Sequence, residues 1–401
     1  MLRRHNIVCV STIDWDFLWQ EHQGVMSVLA RAGNRVLFIE NTGVRSPGWK
    51  DRGRVLGRLR KWASGEGRFR PVVENITLYS PLALPFPYSP LAQRINRSLV
   101  CGSVRRWLEQ NRFDAPILFT FLPTQFTLDL MDEITPALSI FYCTDKLSET
   151  SAAARRILPY ERQVIERADL VFASSERLVD YCRTYRPETH LFPIAVSLEK
   201  FESVWRGESV VPEDIAILPR PVVGLVGGLR QCVDQALLRE LSRHLPHASI
   251  ALVGPEQVPM TEVRGLANVH LLGAKPHVQI PDYIGAFDVC LVPYVVDEFT
   301  SNISPAKLNE YLAVGKPVVS TDVAEVRRFN EANGGVVRIG ATREEFLHEV
   351  RSALEGDARA QRDQRRSVAE RNSWDDRVEA MSRLLEARLR GAAQSNCLAT
   401  R

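Results

Sequence analysis

Between residues 297 and 322 the chain reads DEFTSNISPAKLNEYLAVGKPVVSTD, and its polar groups are spaced for anion chemistry. A polar loop at 300–304 runs into Pro305, and proline is favoured in the first turn of a helix. Asn302, Ile303 and Ser304 would therefore offer backbone N–H groups at the positive end of a helix dipole, a setting suited to a diphosphate. Lys307, one turn further in, reaches the same anion as a point charge. Glu310 follows on the helix, placed to accept hydrogen bonds from two vicinal hydroxyls such as a ribose presents. Gly315 ends the helix and Pro317 opens the next strand.

A second group lies in VGLVGGLRQCVDQ, where Gly227 and Gly228 directly follow a strand pattern and let backbone approach a ligand closely. This loop lacks GxGxxG, which argues against a nicotinamide or flavin enzyme. In the first half, Asp14, Trp15 and Asp16 follow the first strand. An aromatic flanked by acids suits a sugar ring, one face stacked and the hydroxyls hydrogen-bonded. Asp145, closing the strand IFYCTDK, is placed to act as a base or to orient an acceptor hydroxyl. His22 reads as structural.

The elements that must position these groups follow from the pattern. The chain has 401 residues, 45% hydrophobic and 25% charged, which is globular and long enough for two cores. A net charge of +3 is too balanced for a protein that coats nucleic acid. Seven cysteines without a CxxC pair indicate neither a disulfide framework nor a zinc site, and fit a reducing compartment. No apolar run approaches a membrane span, and Asp14 and Asp16 interrupt what begins like a leader, so a cytosolic protein is expected.

Thirteen short Val/Ile/Leu/Phe runs alternate with helical stretches, among them 20–32, 150–168, 234–245, 304–314 and 342–355. Continuous apolar strands belong to parallel sheets buried on both faces. The expected fold is α/β, with two doubly wound Rossmann-like domains facing a cleft. The expected boundaries are 1–201 for an acceptor domain, 202–220 for a linker and 221–372 for a donor domain. Residues 356–371 read as a solvated helix. A crossover helix at 373–390 opens on a capping box of Ser373 and Asp376 and docks back on the first domain. A disordered tail is expected at 391–401.

EYLAVGKPVVST resembles the nucleotide-sugar motif of GT-B glycosyltransferases, particularly the retaining family 4 type. FDVCLVPY, NVHLLGAKPHVQIPDYIGA, ERADLVFASSERL and LFPIAVSLEKF are similar to other stretches of that family in the expected order. The N-terminal 11–45 segment resembles a subgroup tied to bacterial cell-surface polysaccharides. The resemblance implies a GT-B fold and transfer of a hexosyl group from a nucleotide sugar to a glycan or lipid-linked acceptor. It implies retention of configuration by front-face attack, with no enzymatic nucleophile, cofactor or metal. It places Arg230 on the donor diphosphate beside Lys307, and Gly273, Ala274 and Lys275 near the base. Two departures stand out. The family's Glu-x7-Glu has Asn302 as its first member, with Asp297 and Glu298 just upstream, and FPIAVSLEKF lacks the usual Gly and Asp. A sugar-nucleotide epimerase of the same fold and a non-catalytic nucleotide- or glycan-binding partner remain open.

Residues 45–70 carry nine Lys plus Arg against two acids, a net +7 in a chain of +3. Val55, Leu56, Leu59 and Trp62 fall at helical spacing among Arg54, Arg58, Arg60 and Lys61, with Trp49 nearby. Such a basic amphipathic segment suits the anionic inner face of a membrane.

Overall fold

The computed structural model describes residues 1–16, 19–41, 69–84, 86, 88–149, 154–303 and 305–399. The chain divides into two compact units, 1–193 with 377–401, and 194–376.

In the first unit, β1 (Asn6–Val10), β2 (Arg35–Ile39), β3 (Phe69–Val73), β4 (Ile76–Tyr79), β5 (Ile117–Thr120), β6 (Leu138–Cys143), β7 (Leu170–Ala173) and β8 (Thr189–Leu191) form one sheet. Its order is β3-β4-β2-β1-β5-β6-β7-β8, parallel except where β3 runs antiparallel to β4. Strands β1, β2, β5, β6 and β7 are almost wholly buried, as their unbroken apolar sequences require. β3 was not among the expected strands. Arg70 and Pro71 break its apolar pattern, and proline is tolerated there because the strand is an edge. Phe69 secures it, stacked on Tyr79 at 4.4 Å and on Trp107 at 5.3 Å.

The second unit holds β9 (Val222–Val226), β10 (Ser249–Val253), β11 (Val269–Gly273), β12 (Val289–Val292), β13 (Val318–Thr321) and β14 (Arg338–Gly340). The order β11-β10-β9-β12-β13-β14 reverses direction between β9 and β12. In an open parallel sheet that reversal opens a crevice at the carboxyl ends of the two strands. The first sheet reverses between β1 and β5 in the same way. Both halves are doubly wound, as the sequence pattern required.

Three stretches differ from expectation. Within 202–220, the short helices Glu202–Trp205 and Glu213–Ala216 bury Val204 and Ile215 in the core of the second unit, so this stretch is part of a domain. The helix Arg359–Arg371 is exposed over 359–364 but is not solvated throughout. It buries Arg365, Arg366, Val368 and Ala369, and the two guanidiniums find buried partners. The helix Trp374–Ala399 extends into the stretch expected to be disordered.

This last helix carries the chain back to the first unit. Ser373 caps it through Asp376 N–H, 3.2 Å, and Val378, Met381 and Leu385 are buried. Arg388 donates to the Asp169 carbonyl at 3.1 Å. The two crossings of the chain lie side by side in the second unit, Val196 N–H bonding Asn372 O and Trp374 N–H bonding Val196 O. Among the described residues no helix is long and apolar enough to cross a membrane.

Candidate functional site

The crevice of the second sheet gathers most of the expected donor residues. β9 and β12 pair only at Val223–Val289 and Gly224–Cys290 and then diverge. The helix Ala306–Ala313 inserts Tyr311 at this point. Its hydroxyl accepts from Val226 N–H at 3.0 Å and donates to the Leu291 carbonyl at 3.3 Å. Backbone groups that the diverging ladder would leave unpaired are thus satisfied by a side chain. This fixes the helix against the strand that leads into Gly227.

Gly227 has φ +111°, open to glycine, and a β-carbon there would stand 3.3 Å from Lys307 Nζ. Lys307 is 8% exposed and lies over the Tyr294 ring, 5.0 Å from its centroid. A β-carbon at Gly228 would meet Gln257 Nε2 at 2.7 Å and Arg230 Nε at 3.4 Å. Two cations therefore converge on the glycine loop. Burial pushes the Cys232 thiol up, and the positive charges of Lys307 and Arg230 pull against that shift. The loop is braced on both sides, by Gly227 N–H to Val253 O at 2.9 Å and by Val295 N–H to Cys232 O at 2.8 Å.

The loop after β12 is built around Thr300, fully buried, whose hydroxyl donates to Val295 O at 2.7 Å. Asp297 accepts from Thr300 N–H at 2.7 Å. Its Oδ1 thereby shapes the turn Thr300–Asn302. Asn302 ends that turn. Ile303 is extended (φ −93°) and packs its side chain on the core, and its N–H, expected to face a ligand, is instead donated to the Thr300 carbonyl at 3.0 Å as the close of the turn. Ser304 lies outside the described residues.

The helix begins at Ala306 with Pro305 at the N-cap, and no side chain caps it there. Glu310 stands beside His277, Oε1 to Nε2 3.8 Å, with its side chain about one-fifth exposed. His277 follows the end of β11, so the β11 and β12 loops meet at Glu310. Lys275, from the same loop, is turned instead to Asp214 at 2.6 Å, and Tyr283 donates to the other oxygen of Asp214 at 2.7 Å.

The far end of the helix closes as the Gly315–Pro317 pattern indicated. Gly315 has φ +76°, its N–H bonds Leu312 O, and Lys316 N–H bonds Tyr311 O. Arg366 donates to Ala313 O at 3.0 Å and Arg365 to Gly315 O at 2.9 Å. Positive charge at a helix C-terminus is stabilising, and here it also anchors the helix that carries Lys307 and Glu310.

In the first unit the expected acceptor residues follow β1 at the sheet's own reversal point. Trp15 N–H donates to Glu40 Oε1 at 2.9 Å, and its ring meets Phe38 and Trp19 edge to face at 5.0 and 5.9 Å. Asp16 pairs with Arg70 at 2.6 Å, so that carboxylate has a cation from β3. Asp14 lies in the same turn. Asp145 is exposed just beyond β6, at the same carboxyl edge.

Beneath this turn lie Glu40, which the sequence did not single out, and His22, which it read as structural. Glu40 is 7% exposed and accepts from the Ser80 hydroxyl as well as from Trp15. His22 is 1% exposed, with Nε2 2.9 Å from Thr12 Oγ1 and Nδ1 3.4 Å from Glu21 Oε1. Burial lowers its pKa to about 3, so it is neutral. The only signal for Glu40 was its position directly after β2. Arg54, Arg58, Arg60, Lys61 and Trp62, the expected membrane contacts, lie outside the described residues.

Residues 220–356 match the family model of Glycosyl transferases group 1. This segment is a group 1 glycosyltransferase domain. It contains β9 to β14, the glycine loop and the Lys307 helix. The chain is 28% identical over 181 residues to the putative teichuronic acid biosynthesis glycosyltransferase TuaH of Bacillus subtilis. That match covers 43% of this chain and 45% of the relative, so the chain spans under half the length of the curated relative it matches.

Across 96% of the chain the fold follows the sucrose-phosphate synthase of Thermosynechococcus elongatus, with TM-score 0.69, 17% identity and 99% of that chain covered. It also follows the trehalose-6-phosphate structure from E. coli bound with UDP-2-fluoro glucose. There the TM-score is 0.64 at 13% identity, over 96% of this chain and 98% of that one. The fold is GT-B, two Rossmann-like sheets in one chain.

Proposed function

We propose that the protein is a glycosyltransferase that moves a hexosyl group from a nucleotide sugar to a glycan or lipid-linked acceptor in cell-surface polysaccharide synthesis. The observation that carries this reading is the approach of Lys307 to Gly227 at the reversal point of the second sheet. It sets a buried cation, a second cation at Arg230 and an uncapped helix start around one backbone loop. Departure of a nucleoside diphosphate develops negative charge on the leaving phosphate, and positive groups held in place before reaction stabilise it most. Glu310 is the acceptor of the donor's ribose hydroxyls, and the relative bound with UDP-2-fluoro glucose supports a uridine nucleotide.

Transfer proceeds with retention in this reading. The acceptor hydroxyl attacks on the face from which the phosphate leaves and passes its proton to that phosphate. Asn302 then costs a hydrogen bond to the sugar rather than the reaction. Residues 14–16 and Asp145 hold the acceptor, with Glu40 buttressing Trp15. The basic, Trp-bearing sequence of 45–70 supports work at the cytoplasmic face of an anionic membrane, and the B. subtilis relative supports a cell-wall polysaccharide.

The test is a screen of nucleotide sugars for release of free nucleoside diphosphate, with and without glycan and lipid-linked acceptors. Acceptor-dependent release supports transfer. Interconversion of the sugar without release would identify an epimerase, and binding without turnover a non-catalytic partner.

A further inference from the structure

The first unit carries an apolar stripe that nothing in the chain covers among the described residues. The helix Pro90–Asn96 continues through a wider turn, Arg97–Cys101, into the helix Gly102–Gln110. Along its outer side Leu91, Ile95 and Leu99 recur every four residues and are 68%, 36% and 55% exposed. This spacing keeps them on one side of a helix. Two more apolar side chains extend the stripe. Leu84, 39% exposed, is held against the helix by Asn96, whose side chain bonds both Leu84 N–H and Leu84 O at 2.7 and 3.1 Å. Leu158, 40% exposed, opens the helix Leu158–Arg167, which is tied to the first by Gln93 and the Tyr160 hydroxyl at 3.0 Å.

Cations rim the stripe. Residues 81–108 contain four arginines and no acid, of which Arg97 and Arg105 pair with acids of neighbouring turns and helices, and Arg155 and Arg156 precede Leu158. Arg156 lies over the Tyr88 ring at 5.1 Å, and Arg97 stands 3.6 Å from Asp129. A patch of large aliphatic side chains edged by guanidiniums is costly to leave in water, and it complements a surface with an anionic skin and an apolar interior. Its place in the fold is specific. The chain reaches it from the carboxyl ends of β4 and β6, the edge that also bears residues 14–16 and Asp145.

We infer that this stripe is a docking surface for anionic membrane lipid, with Leu91, Ile95, Leu99 and Leu158 entering the headgroup–acyl boundary and Arg94, Arg155 and Arg156 meeting lipid phosphates. The inference deepens the membrane reading of the proposed function and locates it outside 45–70. Docking at this edge would bring the acceptor side of the first unit to the bilayer, where a lipid-linked acceptor resides.

The test is sedimentation of the full chain with phosphatidylcholine vesicles and with equimolar phosphatidylcholine–phosphatidylglycerol vesicles. Wild-type protein should bind the anionic vesicles preferentially. Leu91→Ser with Ile95→Ser and Leu99→Ser should lower that partitioning about tenfold or more, in keeping with apolar burial as a main contributor to interfacial binding. Arg94→Gln with Arg155→Gln and Arg156→Gln should remove the preference for anionic lipid. The single Leu91→Ser, at the most exposed position, should show a smaller loss in the same direction with an unchanged melting temperature. Wild-type partitioning in the stripe variants, or equal binding of wild-type to both vesicles, would overturn the inference. Nucleoside diphosphate release to a soluble acceptor should be unchanged in all of them. Loss of vesicle binding with release intact therefore bears on the surface alone, and absence of release with vesicle binding intact bears on the enzyme alone.

Discussion

Lys307 Nζ lies over the Tyr294 ring and against the α-carbon face of Gly227, so one cation is held between the end of β12 and the end of β9. Each element contributes something the others lack. Gly227 supplies room, Tyr294 a polarisable wall, and the Ala306–Ala313 helix the stem that carries the charge.

Replacing Gly227 with Ala should therefore impair donor binding by two routes. The backbone at φ +111° is strained for any L side chain, and the new methyl group would press on Lys307. Lys307→Met, which keeps the apolar stem and removes the charge, should weaken nucleotide-sugar affinity by about 10- to 100-fold, the scale of one charge-assisted contact. Titration calorimetry with UDP and UDP-glucose reads both. Wild-type affinity in Lys307→Met would remove Lys307 from the site.

Arg230 and Glu310 should separate kinetically. Arg230→Ala is expected to lower kcat more than it raises KM, because leaving-group charge grows only toward the transition state. Glu310→Gln should raise KM for the donor with little change in kcat, as a ribose contact is present throughout the reaction. Steady-state release assays decide this, and an unchanged kcat in Arg230→Ala counts against its role.

Tyr311→Phe probes the junction of helix and sheet. The substitution removes a buried hydroxyl that serves both Val226 N–H and Leu291 O, and should cost about 1–3 kcal/mol of stability. Chemical denaturation would show it as a lower midpoint. Donor affinity should fall as well, since the helix would lose its register against Gly227. A stability loss with donor affinity intact would show that the hydroxyl does not set the site.

His22 gives the first unit a signed response to acid. Its ordinary pKa of 6.5 is lowered by burial to about 3, so the unfolded chain takes up the proton first as pH falls. The stability it contributes is fully present above pH 6.5 and is lost as pH drops toward 3. The slope is at most about 1.4 kcal/mol per pH unit for a single group. His22→Gln should flatten that part of the stability profile, measured by denaturant midpoints across the range. An unchanged slope would assign the acid sensitivity elsewhere.

How far the sequence reached can be seen at individual residues. The strands of both sheets were legible because a strand buried on two faces has to be apolar throughout, and such runs stand out without any partner in view. β3 was missed for the converse reason. An edge strand needs only one neighbour, and Phe69, Arg70 and Pro71 carry no period that marks it.

The Lys307 helix was legible through local chemistry alone. Pro305, Gly315 and Pro317 punctuate it, and capping energetics act within a few residues. What the sequence could not supply was anything that depends on which distant segments meet. Arg365 and Arg366 read as solvated charge, because a charged helix looks the same whether its guanidiniums face water or the carbonyls of Ala313 and Gly315. Asp297 read as a spare acid near Asn302, although Thr300 claims its Oδ1. Tyr311 carried no signal of its own within EYLAVG. Its role exists only because β9 and β12 diverge beside it, and strand order is a property of the folded sheet. Spacing along the chain thus determined which residues have the chemistry. The tertiary structure decided which are occupied with holding the fold and which, like Lys307, are held ready, because burial and pairing are set by neighbours far apart in sequence.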